Sequence, residues 1–137
     1  MELIYSKKEP GTLLHIIHYK NDFPPRTGRI DICPSGEFIQ CAAMNLHGEQ
    51  TFKPHKHIEL EKITTMAQES WIVVQGVVEV ILYDLDDKII AEKMLIPGDC
   101  SITFKGGHNY KALIDNTLVY EYKTGPYLGQ EKDKVFI

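Results

Sequence analysis

The residues with the most chemical reach in this chain are three histidines and one carboxylate: His55 and His57 in KPHKH, Glu69 in QESWIVVQG, and His108 in GGHNY. Imidazole nitrogens and a carboxylate oxygen make up the kind of donor set that holds zinc, iron, manganese, nickel or copper. Side chains alternate along an extended strand, so residues at i and i+2 share a face. With KPHKH as a strand, one segment aims both rings at a single point, and later strands deliver Glu69 and His108 to complete a mononuclear site.

The same parity bears on the other two members. In ESWIVVQ, Glu69, Trp71 and Val73 share a face, which sets an acid among two large apolar groups. An ionised acid buried there without a partner is costly, and a coordinated cation removes that cost. In HNYKALI, Lys111 marks the solvent side, so His108, Tyr110 and Ala112 turn inward. Tyr110, two residues from His108 on the same face, is the candidate acid/base or supporting group. Trp71 either fills the core or walls a pocket for a ring-shaped ligand. His15 and His18 have opposite parity and lie far from the set, which points to surface or capping roles, and His47 reads as a turn histidine. Asp84, Asp86 and Asp87 lack the alternating pattern of a calcium loop and read as a solvated turn.

Short strands must position these residues. The apolar runs are rich in β-branched and aromatic residues and are broken by turn signals, the pattern of a sandwich or barrel. The predicted strands are LLHIIHYK, RIDIC, EFIQCAAMNL, FKPHKHIEL, ESWIVV, VVEVILYD, IIAEKML, CSITF, HNYKALI and TLVYEYK. Gln75 and Gly76 signal a hairpin between ESWIVV and VVEVILYD. No segment carries a helical stripe over three turns. The prediction is a single all-β domain over 1–137, with 1–28 as an N-terminal strand and loop and 124–137 as a C-terminal tail that wraps the outside or closes one end of a barrel.

Composition narrows the function classes. The 137 residues carry 43% hydrophobic and 25% charged side chains, an ordinary globular balance. A net charge of -4 without a basic stripe gives no footprint for nucleic acid. No apolar run is long enough to span a bilayer, and MELIYSKKEPG lacks the order of a secretory signal, so a cytoplasmic, non-membrane protein is expected. Cys33, Cys41 and Cys100 are odd in number and form no CxxC, which argues for buried or semi-buried thiols.

The stretch from His55 to His108 resembles the two sequence motifs of the cupin superfamily. The first motif carries His-x-His, then Glu, then six residues and Gly, matched here by His55, His57, Glu69 and Gly76. The second carries Pro-Gly-Asp and then His, matched by Pro97, Gly98, Asp99 and His108. One departure is the gap of eleven residues, IELEKITTMAQ, between His57 and Glu69, where the common pattern has three or four. Taking Glu61 as the carboxylate restores the short spacing but loses both the register to Gly76 and the inward parity.

The resemblance implies a double-stranded β-helix, the jelly-roll barrel of cupins, with His55, His57, Glu69 and His108 as ligands of a divalent transition metal: zinc, iron, manganese or nickel. It also implies metal-assisted chemistry on a polar small molecule, with similarity to small cupins of bacterial polysaccharide metabolism suggesting a sugar or sugar nucleotide and isomerase- or epimerase-like action. The alternatives are a non-enzymatic small-molecule or metal-binding module and an iron-dependent dioxygenase. Exposed strand edges of an open barrel favour a homodimer.

Overall fold

The computed structural model describes residues 1–137. Ten strands account for nearly all of the regular structure: β1 Glu2–Tyr5, β2 Leu13–His18, β3 Gly28–Asp31, β4 Ala42–Asn45, β5 Glu69–Gln75, β6 Val78–Tyr83, β7 Ile89–Leu95, β8 Cys100–Thr103, β9 His108–Ala112 and β10 Leu118–Lys123. One short helix, α1 Gln130–Asp133, follows in the tail. The chain is therefore all-β with antiparallel pairing throughout. No helix is long and apolar enough to cross a membrane.

The strands form a five-stranded sheet in the order β1-β2-β8-β5-β10, a three-stranded sheet β7-β6-β9, and the β3-β4 pair. None of them closes on itself. The large sheet is the middle layer. Ile4, Ile17 and Val73 on one of its faces pack against Val78, Val80, Leu82 and Leu95 of the three-stranded sheet. Ile16, Cys100, Ile102 and Phe104 on its other face pack against Ile32, Cys33 and Ala43 around the β3-β4 pair. A sheet covered on both faces must be apolar or internally satisfied at nearly every position. This explains why β8 is buried along its whole length and β2 from Leu14 onward.

Three local predictions are revised. The segment FKPHKHIEL forms no strand, because residues 51–67 find no ladder partner for their main chain and stay exposed; a strand needs a partner for its alternating N–H and C=O groups. Gln75 and Gly76 do not close a hairpin. β5 pairs with β8 and β10, β6 pairs with β7 and β9, and the turn carries the chain from one sheet to the other. Asp84 is no solvated turn residue either. It is buried, accepting from the Ser6 hydroxyl at 2.5 Å and from the backbone N–H of Lys7 and Leu85 at 2.7 Å each. These bonds hold its carboxyl down at about 2 although burial opposes them.

The Pro97–Asp99 turn shows what its residue types accomplish. Asp99 is buried and accepts from the N–H of Ile96 at 3.0 Å and of Lys20 at 2.7 Å, pinning the turn to the end of β2. This sets the start of β8.

Gly76 adopts φ +88°, and a Cβ there would come within 2.8 Å of Thr117 Cα. Left-handed backbone costs an L-residue about 1–2 kcal/mol, and the contact adds to that. Gly76→Ala is expected to lower unfolding free energy by about 2 kcal/mol or more in urea titration. Gly48→Ala, with open space around it, should stay within about 0.5 kcal/mol.

Candidate functional site

Alternation sends Glu69, Trp71 and Val73 of β5 toward the three-stranded sheet, and Ser101 and Thr103 of β8 with them. The register sets Glu69 beside Thr103 and Trp71 beside Ser101. From the facing sheet, β9 offers His108 and Tyr110, held in place by pairing with β6: His108 opposite Leu82 and Tyr110 opposite Val80. One end of the space between the two sheets is therefore polar, while the other is filled by aliphatic side chains.

The centre of the polar end is a carboxylate and an imidazole. Glu69 is only 7% exposed, and its Oε1 accepts from Trp71 Nε1 at 2.9 Å and lies 3.2 Å from His108 Nε2. Burial works to raise the Glu69 carboxyl, but the hydrogen bond and charge of His108, the Trp71 indole and the charge of Lys134 outweigh it and hold the group below the usual carboxylate value. The other His108 nitrogen, Nδ1, is buried without a protein partner.

Around this pair the side chains are tightly ordered. Trp71 and Tyr110 stack with centroids 4.1 Å apart and planes 5° from parallel. The Tyr110 hydroxyl donates to Ser101 Oγ at 3.1 Å. Burial and the nearby Glu69 charge push the phenol above its ordinary value. Tyr110 is thus held as a neutral phenol, which suits it to orienting a group by hydrogen bonding rather than to moving a proton.

Behind the pair lies a histidine that sequence parity sent to the surface. His15 is fully buried. Its Nε2 donates to the Tyr83 carbonyl at 3.0 Å, which leaves Nδ1 to accept from the Thr103 hydroxyl at 3.0 Å. His18 is buried as well, edge-on to Phe23. Both histidines were misplaced because β2 is covered on two sides, so parity no longer separates inside from outside. His15, Ser101 and Thr103 carried no motif; their only sequence signal was membership of strands too apolar to face water.

The pair opens on a cavity of about 720 Å³, walled by Trp71, Tyr110, Gly107 and the chain end from Asp133 to Ile137. His55 and His57 are not there. They lie in the exposed 51–67 segment, their rings 5.6 Å apart and edge to face, with His55 Nδ1 bonded to the Lys53 carbonyl. Of the four expected ligands the structure brings two together, and no three His, Cys, Asp or Glu side chains converge as a metal-binding group. The two that meet suit an ion. Donors bound about 2.1 Å from one metal stand roughly 3.0–3.4 Å apart in octahedral or tetrahedral arrangement, and Nε2 and Oε1 are 3.2 Å apart.

Compared with protein-family models, curated proteins and solved structures, the chain matches none.

Burial lowers His15 from the usual 6.5 to about 4. The unfolded chain therefore takes up that proton first. The stability tied to neutral His15 is complete above pH 6.5 and is lost as pH falls toward 4, about 3 kcal/mol in all. Glu69, with its lowered value, loses its contribution in the same direction below 4.5. Urea midpoints at pH 7, 6, 5 and 4 are expected to fall for the wild type. His15→Gln should flatten the slope between 6.5 and 4, and an unchanged slope would refute the His15 assignment.

Proposed function

We propose that this chain is a small jelly-roll protein of cupin type whose Glu69 and His108 hold a divalent transition metal at the base of a cavity for a polar small molecule. The observation that carries this reading is the 3.2 Å contact between Glu69 Oε1 and His108 Nε2 at the polar end of two packed antiparallel sheets. His55 and His57 complete the ligand set when the 51–67 segment folds across the cavity. Met66 and Ala67, at its end, already line the cavity wall. The bound ion would supply Lewis-acid polarisation of a substrate carbonyl or hydroxyl.

The chain's own groups do the rest. The Trp71–Tyr110 stack presents a flat apolar wall beside hydroxyl and carboxylate groups, a mixture that suits a carbohydrate or sugar nucleotide ring. The Tyr110 hydroxyl, which donates to Ser101 Oγ, keeps its oxygen lone pairs free to accept from a substrate hydroxyl. Isomerase- or epimerase-like proton movement is the reaction class we favour.

A second reading is a site without metal, in which Glu69 and His108 act as a proton-transfer pair. Their direct contact at 3.2 Å favours it.

Metal content separates the two. Protein prepared without a histidine tag is expected to carry or take up about one zinc, iron, manganese or nickel per chain, and His108→Ala and Glu69→Gln should each weaken binding at least about tenfold. His55→Ala should weaken it as well if the segment folds inward. No uptake by the wild type would sink the metal reading and leave the proton-transfer pair.

The reading also carries a homodimer, since β1 and β10 are open edges of the large sheet and Tyr120 and Tyr122 are exposed on β10. Light scattering at micromolar concentration should give twice the chain mass.

A further inference from the structure

The free edge of the large sheet carries a pattern of its own. β10 pairs with β5 on one side and with nothing on the other. The Thr124 N–H donates to the Gln68 carbonyl at 3.0 Å. Along an antiparallel strand, successive residues direct their main-chain groups to opposite neighbours. Thr124, Tyr122 and Tyr120 therefore bond toward β5, while Glu121 and Lys123 aim their N–H and C=O groups outward, where no strand receives them.

The two faces of this edge differ. Tyr120 and Tyr122 lie on the side of the β3-β4 layer, opposite Ile72 and Ser70 in the ladder, with rings 6.3 Å apart and exposures of 61% and 56%. Glu121 and Lys123 turn to the other side, where Glu121 forms part of the cavity wall.

We propose that a second copy of this chain pairs its β10 with this one, antiparallel about a two-fold axis at Tyr122, which sets the partner's Lys123 against Glu121 at the cavity wall. The proposal rests on the homodimer reading above and names its interface. A two-fold axis normal to a continuous sheet keeps each face on its own side, so facing residues must be of equal parity. Charge then selects the register. An axis at Glu121 would oppose that carboxylate to its own copy, and an axis at Tyr120 would set it against Val119. An axis at Tyr122 pairs Glu121 with the partner's Lys123 and Lys123 with the partner's Glu121. All of these residues have outward main-chain groups, so about four inter-chain hydrogen bonds form, and opposite charges face each other in both pairs. Lys123 stands 3.4 Å from its own Glu121, which leaves each lysine of the dimer between two carboxylates. On the opposite face the two Tyr122 rings meet, flanked by Tyr120 of each copy.

The other edges of the two larger sheets lack this pattern. β1 holds no base, its Glu2 is engaged by Lys93 at 2.7 Å, and a bulge between Ile4 and Tyr5 bends it. β7 has Glu92 and Lys93 as neighbours, on opposite faces, and β9 has Lys111 without an acid. Only β10 places an acid and a base two residues apart.

The test uses the full chain. Residues at position 122 form the non-hydrogen-bonded pair on the axis, with Cα atoms about 4.5 Å apart, within reach of a disulfide. Mild oxidation of Tyr122→Cys in a Cys41→Ser background, where Cys33 and Cys100 are buried, is expected to give a covalent dimer bridged from 122 to 122 in the mass spectrum. Tyr120→Cys, about 14 Å from its copy along the strands, should stay unlinked. Without any added cysteine, Glu121→Lys should raise the dimer dissociation constant at least about tenfold by light scattering on dilution. Adding Lys123→Glu should bring it back to within about threefold of the wild type. A bridge at 120 in preference to 122 would overturn the register. A dimeric wild type that forms no 122 bridge and ignores the charge reversal would overturn the interface and leave the homodimer reading standing, while a monomeric wild type would overturn both.

Discussion

A carboxylate buried between two sheets is the constraint around which this end of the molecule is organised. Glu69 cannot leave water alone, because an uncompensated buried charge costs more than most other single features of a small domain contribute. It is met by the Trp71 indole on its own strand and by the His108 imidazole on a strand from the opposite sheet. The Glu69–His108 contact ties the two sheets together at their polar end. The two contacts also fix the stacked pair of Trp71 and Tyr110, since Trp71 is tied to Glu69 and Tyr110 lies two residues from His108. The candidate site and the packing of the two layers are thus one arrangement.

The central sheet supports it from behind. Its β2 and β8 strands face packed layers on both sides, so polar side chains there survive only where a partner is built in. Thr103 is such a case: its hydroxyl serves His15, and it lies opposite Glu69 in the ladder. Gly106, at φ +79°, leaves no room for a Cβ beside the Tyr83 carbonyl that His15 also uses. On the other face the same strand packs Cys100 among Ile16, Ile32 and Phe104. One strand of four residues therefore serves two chemically separate environments, which the alternation of side chains makes possible.

Parity arguments succeeded where a strand has one wet face and failed where it has none. Lys111 identified the outer face of β9, and His108 and Tyr110 turned inward as that alternation requires, although Ala112, expected on the same face, is exposed. β2 offered no such marker, and its two histidines were assigned to the surface although both are buried. The 51–67 segment failed for a different reason. Its sequence alternates like a strand around Ile58 and Leu60, but those side chains are 86% and 72% exposed. Alternation says nothing about whether a neighbouring edge exists to receive the backbone.

Local sequence alone determined the all-β character, most strand positions and the inward face of Glu69, Trp71, His108 and Tyr110, because periodicity and turn residues act over a few neighbours. Tertiary structure alone decided which sheet each strand joins, that Gly76 carries the chain between sheets, that His15 is a core residue, and that three scattered cysteines meet. It also left His55 and His57 apart from the other two expected ligands. Each of these depends on contacts between residues far apart in the chain, whose energies arise only once the layers have packed.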